Sequence, residues 1–221
     1  MQFSVIIPTY NEEKVIKNQI QNIHDILDAE IIVVDGESTD NTREIVNEEN
    51  ALLVPFRRGR GIQCAEGSKY ASKDYLMFLH ADTRLPIDAS EILSEFFKDE
   101  EKKIGTFTIK FEPNNPILHF SGFVSRFDSV FTSYGDQCIF VRKEFYNEIG
   151  GFPEWPLFED VNIFQKARKF TKIYKLHGPV VSSSRRFQKN GVVYQLLLNS
   201  WLLFQYLLGI HPDELVKRYS N

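Results

Sequence analysis

Two cysteines in 221 residues, Cys64 and Cys138, stand far apart with no paired-cysteine or histidine spacing beside them. Their scarcity excludes a disulfide framework and a zinc site, and it suits a reducing compartment. Positive charge is not in excess either. The 26 Lys and Arg are outnumbered by 30 Asp and Glu, and the formal charge of -4 argues against general affinity for nucleic acid. The opening residues, Met-Gln-Phe-Ser-Val-Ile-Ile-Pro, have neither a basic n-region nor a long apolar h-region. They read as a strand rather than a signal peptide, so a cytoplasmic location is expected. No repeat and no low-complexity linker interrupts the chain. What remains is an ordinary globular mixture, 43% hydrophobic and 25% charged, in a length suited to one domain.

Through the first half, apolar runs of strand length alternate with segments of helical period, which is the pattern of βαβ units around a mainly parallel sheet. The fold class is therefore α/β. Residues 3–8 predict a strand, and Ile16, Ile20, Ile23 and Leu27 recur at spacings of four, three and four on one helix face. Further strands are predicted at 30–35, 52–55 and 75–79, with Ser38-Thr39-Asp40 offering N-cap side chains to a helix that carries Ile45 and Val46. In the second half a helix is expected from about Asp88, strands at 104–111 and 135–141, and a helix after Glu159-Asp160 with Val161, Phe164 and Ala167 on one side. The aromatic-rich stretch 114–134 predicts no definite path. The first, second and fourth strands end in polar clusters, Thr9-Tyr10-Asn11-Glu12, Asp35-Gly36-Glu37-Ser38 and His80-Ala81-Asp82. Ligands of open α/β sheets bind outside the carboxyl ends of the strands, so these clusters are expected to share one crevice.

Five segments in order, residues 5–13, 32–40, 78–83, 150–161 and 183–187, resemble family 2 glycosyltransferases of the GT-A fold over nearly the whole chain. Within that family the chain is most similar to a small bacterial subgroup of selenodomain-associated transferases, through Arg58-Gly59-Arg60, His80-Ala81-Asp82-Thr83 and Arg185-Arg186. The resemblance implies an inverting transfer of sugar from a nucleotide diphosphate donor of UDP or GDP type, assisted by Mn²⁺ or Mg²⁺, to an acceptor on a glycan or lipid. It implies Asp82 as a metal ligand, in competition with a turn-capping role. His80 replaces the family's first Asp of an Asp-x-Asp pair, and either joins the metal, orients its water or satisfies a strand-end hydrogen bond. Asp160 is implied as the general base with Glu159 beside it, although both acids also suit the positive end of a helix dipole.

For the donor, Pro8, Thr9, Tyr10 and Glu12 match the family's first-strand signature. Asp35 matches the first acid of an Asp-Asp-Gly-Ser turn, whose second acid is here Gly36. Arg60 is expected at the phosphates, with a solvated loop as its alternative, and Arg185 with Arg186 resembles the element that clamps the diphosphate. Asp136 and Gln137 are expected to line the sugar pocket. Trp155 either stacks on a sugar or fills the core.

Residues 192–210 contain no charge, and Gln195, Asn199, Gln205 and Gly209 fall within roughly 120° at helical spacing. The chain thus divides into an expected transferase domain, 1–190, and a helical extension, 191–221, packed on the domain, on a membrane surface as a peripheral protein, or on a second copy. Two other readings stay open: a polyprenyl-phosphate sugar transferase, favoured by the apolar tail, and a nucleotide-sugar binding module without turnover.

Overall fold

A computed structural model describes residues 1–219. In its first half, β1 (Phe3–Thr9), β2 (Ala29–Gly36), β3 (Leu52–Phe56) and β4 (Tyr75–Phe78) alternate with α1 (Ile16–Ile26), α2 (Thr42–Glu48) and α3 (Arg60–Tyr70). Then come β5 (Thr83–Arg84), α4 (Ala89–Phe97), β6 (Ile104–Glu112), α5 (Pro116–Val124), β7 (Ile139–Arg142), α6 (Lys143–Glu148), α7 (Glu159–Ala167) and β8 (Tyr174–Ser183). Three helices follow: α8 (Arg185–Asn190), α9 (Val192–Leu207) and α10 (Pro212–Tyr219). The strands form one sheet in the order β3-β2-β1-β4-β7-β6-β8-β5.

Strands β1 to β4 pair in parallel, as their uninterrupted apolar runs require when both sheet faces are covered. Along β1, Val5 and Ile7 join a core with Ile16, Ile20 and Ile23 of α1, while Ile6 points to the opposite core with Cys64, Ile163 and Phe164. Helix α3 can lie this close only because residue 67 is glycine: a Cβ there would stand 2.5 Å from Ile6 Cγ2. Beyond β4 the expected mainly parallel arrangement becomes mixed. β7 runs antiparallel between β4 and β6, β6 and β8 are parallel, and β5 closes antiparallel on β8. The cause is the excursion from β6 to β7, which includes α5 and replaces a simple helical crossover.

Two local expectations are corrected. The strand expected at 135–141 is shorter: Gly135–Gln137 form a 3-10 turn whose first amide is accepted by Asp160, and the strand, β7, begins at Ile139. Helix α2 starts at Thr42 with Asn41, not Ser38, Thr39 or Asp40, at its N-cap position; Asn41 makes no side-chain cap bond, and Asp40 Oδ1 accepts the Thr42 amide at 3.0 Å from one residue further back.

At the C-terminal end, α9 and α10 meet the segment before α7 through Leu157, Leu202 and Leu215, reinforced by Phe158 stacked on Tyr206 at 5.1 Å. The polar stripe of α9 faces inward. Gln195 is 0% and Gln205 4% exposed, and Gln195 takes a hydrogen bond from Asn190 and gives one to Asn199, both at 2.7 Å. No described helix is long and apolar enough to cross a membrane. Residues 220 and 221 of the expected extension lie outside the described residues.

Candidate active site

The carboxyl ends of β1 and β4, the turn after β8 and the start of α7 converge on a cleft of about 600 Å³. Glu12, Arg60, His80, Asp82, Asp136, Asp160, Arg185 and Arg186 all line it. Sequence reasoning named each of these eight, and the fold brings them together from positions as far as 174 residues apart in the chain.

Asp160 sits in the first turn of α7, where the free amides and dipole of a helix N-terminus favour a carboxylate. Its Oδ1 accepts the Val161 amide at 2.8 Å and its Oδ2 the Gly135 amide at 2.7 Å. Gly135 stands between two functional side chains. A Cβ on it would lie 3.3 Å from Asp160 Oδ2 and 3.6 Å from His80 Nε2, so any larger residue would crowd the space they share. Burial, and then the Arg60 charge, push the His80 imidazole down to about 3, leaving it neutral. Asp136 lines the same space with its Oδ1 sealed from solvent and without a hydrogen-bond partner. Burial, followed by the Asp160 charge, pushes its carboxyl up to about 7.

Opposite them, Arg185 Nη2 reaches both Glu12 Oε2 at 3.1 Å and Asp82 Oδ2 at 3.2 Å. Burial raises the Glu12 carboxyl above its ordinary value, and Arg185 works against that rise. Arg60, expected at phosphate, gives its Nε hydrogen to the buried Glu159. Glu159 Oε2 has no partner, and burial, opposed by Arg60, raises its carboxyl. Glu159 therefore meets Arg60 at the cleft wall and is itself absent from the cleft lining.

Other expected residues lie beneath or beside this cleft. Thr9 is buried, donates to the Val34 carbonyl and is braced by Gln63, whose Nε2 bridges the Thr9 and Val34 carbonyls at 2.8 and 2.6 Å. Pro8 lies next to Arg60, His80 and Asp160. Tyr10 carries the Arg58 guanidinium 3.8 Å above its ring. Asp35 is fully buried, with Oδ2 held by Arg43 and the Ser38 amide and Oδ1 unpartnered.

Gln137 is turned away from the cleft. Lys175 Nζ donates to its Oε1 at 2.6 Å, its Nε2 donates to the Thr132 carbonyl, and Thr106 completes a buried network that fixes the 3-10 turn. Trp155 neither lines the cleft nor joins the main core; it packs edge-on against Tyr206 and His211 and so holds the C-terminal helices. Sequence reasoning missed Gln19, which is buried and donates to the Thr83 carbonyl at 2.7 Å and the His80 carbonyl at 3.3 Å, fixing the turn that carries Asp82. A buried glutamine on an otherwise apolar helix face was the available signal. Also missed was the apolar wall of the cleft, made by Phe111, Phe131, Leu196, Leu202 and Leu203.

Among the described residues no three His, Cys, Asp or Glu side chains are gathered as a ready metal cage. Asp82 and the neutral His80 line the same cleft, and one carboxylate with one imidazole suits a divalent cation that completes its shell with phosphate oxygens and water.

An α/β sheet of this order, with helices on its faces and carboxylates and arginines at its strand ends, is that of the GT-A fold. Residues 4–152 match the model of glycosyl transferase family 2, and the chain belongs to that family. It is 32% identical over 111 residues to poly-beta-1,6-N-acetyl-D-glucosamine synthase of Staphylococcus aureus, covering 47% of this chain and 27% of that protein. The chain thus spans about a quarter of that relative's length. Among solved structures, S. aureus TarS in complex with UDP-GlcNAc superposes with a TM-score of 0.63 at 21% identity, over 84% of this chain and 59% of that one. The mannosyltransferase PcManGT of Pyrobaculum calidifontis, in complex with GDP-Man and Mn²⁺, superposes with a TM-score of 0.68 at 21% identity, over 96% of this chain and 66% of that one.

Proposed function

We propose that this cleft transfers a sugar from a nucleotide diphosphate donor, of UDP or GDP type, to an acceptor hydroxyl with inversion at the anomeric carbon. The observation that carries the reading is Asp160. It is held by two backbone amides at a helix start and lines one cleft with Asp82, His80, Arg185 and Arg186. The acceptor oxygen forms its bond to the anomeric carbon as the bond from that carbon to the diphosphate oxygen breaks, and the electron pair leaves with the diphosphate. The hydroxyl proton passes to Asp160, whose carboxylate is oriented in advance by its two amide bonds. Arg185 and Arg186 supply charge for the departing diphosphate. Asp82, with His80, would hold Mn²⁺ or Mg²⁺, which when bound neutralises charge on the diphosphate. Glu12 with Pro8 and Tyr10 at the β1 end would form the side at which the nucleoside rests, with Thr9 and Asp35 buried behind them. Glu159 acts through Arg60, holding its guanidinium at the cleft edge.

The test is Asp160→Asn. Donor binding, read by thermal shift with UDP or GDP in the presence of Mn²⁺, is retained, whereas acceptor-dependent turnover falls roughly 100-fold or more. Turnover close to that of the unaltered protein would remove Asp160 from the mechanism.

A further inference from the structure

Helix α9 buries its polar stripe beside Leu202 and Leu203 and turns a second apolar face outward. Its glutamines are buried, while Leu197, Trp201 and Leu208 are 66%, 58% and 68% exposed, and Val193, Tyr194, Phe204 and Leu207 are exposed beside them. At about 100° per residue these seven cover an arc of about 140° on the outer side. Helix α5 repeats the pattern. Only Leu118 of its side chains is buried, whereas Ile117, Phe120 and Phe123 face outward at spacings of three, with Phe127 and Phe131 exposed after them. Both helices border the catalytic cleft, through Ser121 of α5 and Leu196, Asn199 and Ser200 of α9. Exposed apolar area of this extent is uncommon on a water-facing surface.

Charge says what the face fits. No acidic residue occurs between Asp160 and Asp213, and of the eight Lys and Arg in that stretch Arg185 and Arg186 line the cleft, Lys175 bonds Gln137 and Arg168 pairs with Asp128, which leaves Lys189 as the base next to α9. Lys189 is exposed just before α9, and Arg126 lies beside Phe123 just after α5. A second copy of the chain would bring these bases against themselves. An anionic lipid surface would meet them with opposite charge while taking the aromatic and aliphatic side chains into its boundary. Helix α9, with 16 residues, is about 24 Å long and cannot cross a hydrocarbon layer of about 30 Å, so it would lie in the plane of the surface.

We infer that the outer face of α5 and α9 seats the protein on an anionic bilayer and opens the cleft at the lipid–water boundary, toward acceptors carried by lipids. The docking stands on the face alone; its consequence for the acceptor rests on the glycosyl transfer proposed above.

Flotation of the full chain with phosphatidylcholine vesicles, with and without phosphatidylglycerol, tests it. Association with the anionic vesicles is expected, weakened about fivefold in partition for each of Lys189→Gln and Arg126→Gln. It should be lost in a Leu197→Ser, Trp201→Ser, Phe204→Ser variant whose circular dichroism is unchanged. Thermal shift with UDP or GDP should be the same for all variants, so failed docking and a failed donor site give different results. A protein that stays in the soluble fraction with both vesicle types overturns the inference. So does light scattering that shows a stable dimer dispersed by the serine substitutions, because the face would then belong to a second copy.

Discussion

Replacing Asp136 with asparagine keeps the shape of a side chain whose Oδ1 is sealed without a partner, and removes its charge. In the metal-free fold, burial and then the Asp160 charge lift this carboxyl from an ordinary 3.8 to about 7, against the opposing pull of Arg60 and Lys175. The rise is roughly 3 units at about 1.4 kcal/mol each, so ionising Asp136 in the folded chain costs up to about 4 kcal/mol relative to the unfolded chain. Below about pH 4 both states hold the proton and the cost is absent. Between about pH 4 and 7 the folded state binds more protons than the unfolded one, so this group makes stability fall as pH rises; above about pH 7 the full cost is carried. Asp136→Asn should therefore match the parent near pH 4 and exceed it near pH 8. For a domain of this size the excess amounts to a Tm gain of roughly 10 °C. Calorimetry in EDTA across that range measures it. A Tm difference independent of pH, or a lower Tm for the variant near pH 8, would refute the assignment of a strained, sealed charge.

Asp82→Asn should abolish Mn²⁺-dependent binding of UDP or GDP in calorimetry while leaving the circular dichroism unchanged; unaltered metal-dependent binding would remove Asp82 from the cation site. Leu215→Ala empties part of the small cluster that ties α10 to Leu157 and Leu202, and should cost about 2 kcal/mol, at the low end for a buried leucine because the cluster is small. Limited proteolysis should then cut first after α9; cutting elsewhere, with α10 protected, would show that other contacts hold the helix.

The order of apolar runs was sufficient for β1 to β4 and their helices, because a strand buried on both faces and a helix buried on one leave distinct periods in the chain. The same order placed Asp82 at the end of a strand and Asp160 at the start of a helix, since those positions are set by neighbours a few residues away. The ion pairs lie beyond its reach. Arg185 meets Glu12 across 173 residues and Asp82 across 103, and only the packing of β8 beside β5 and β6 brings them together. Gln137 looked like a pocket residue, yet a 3-10 turn points its side chain at Lys175, on a strand that becomes its neighbour only after folding. Helix α9 marks the division most clearly. Its sequence determined which residues share a side, because 3.6 residues per turn is a local property. Which side faces inward was decided by the protein around it: buried amides need partners, Gln195 finds them in Asn190 and Asn199 beside the buried Leu202 and Leu203, and Leu197, Trp201, Phe204 and Leu207 are left outside.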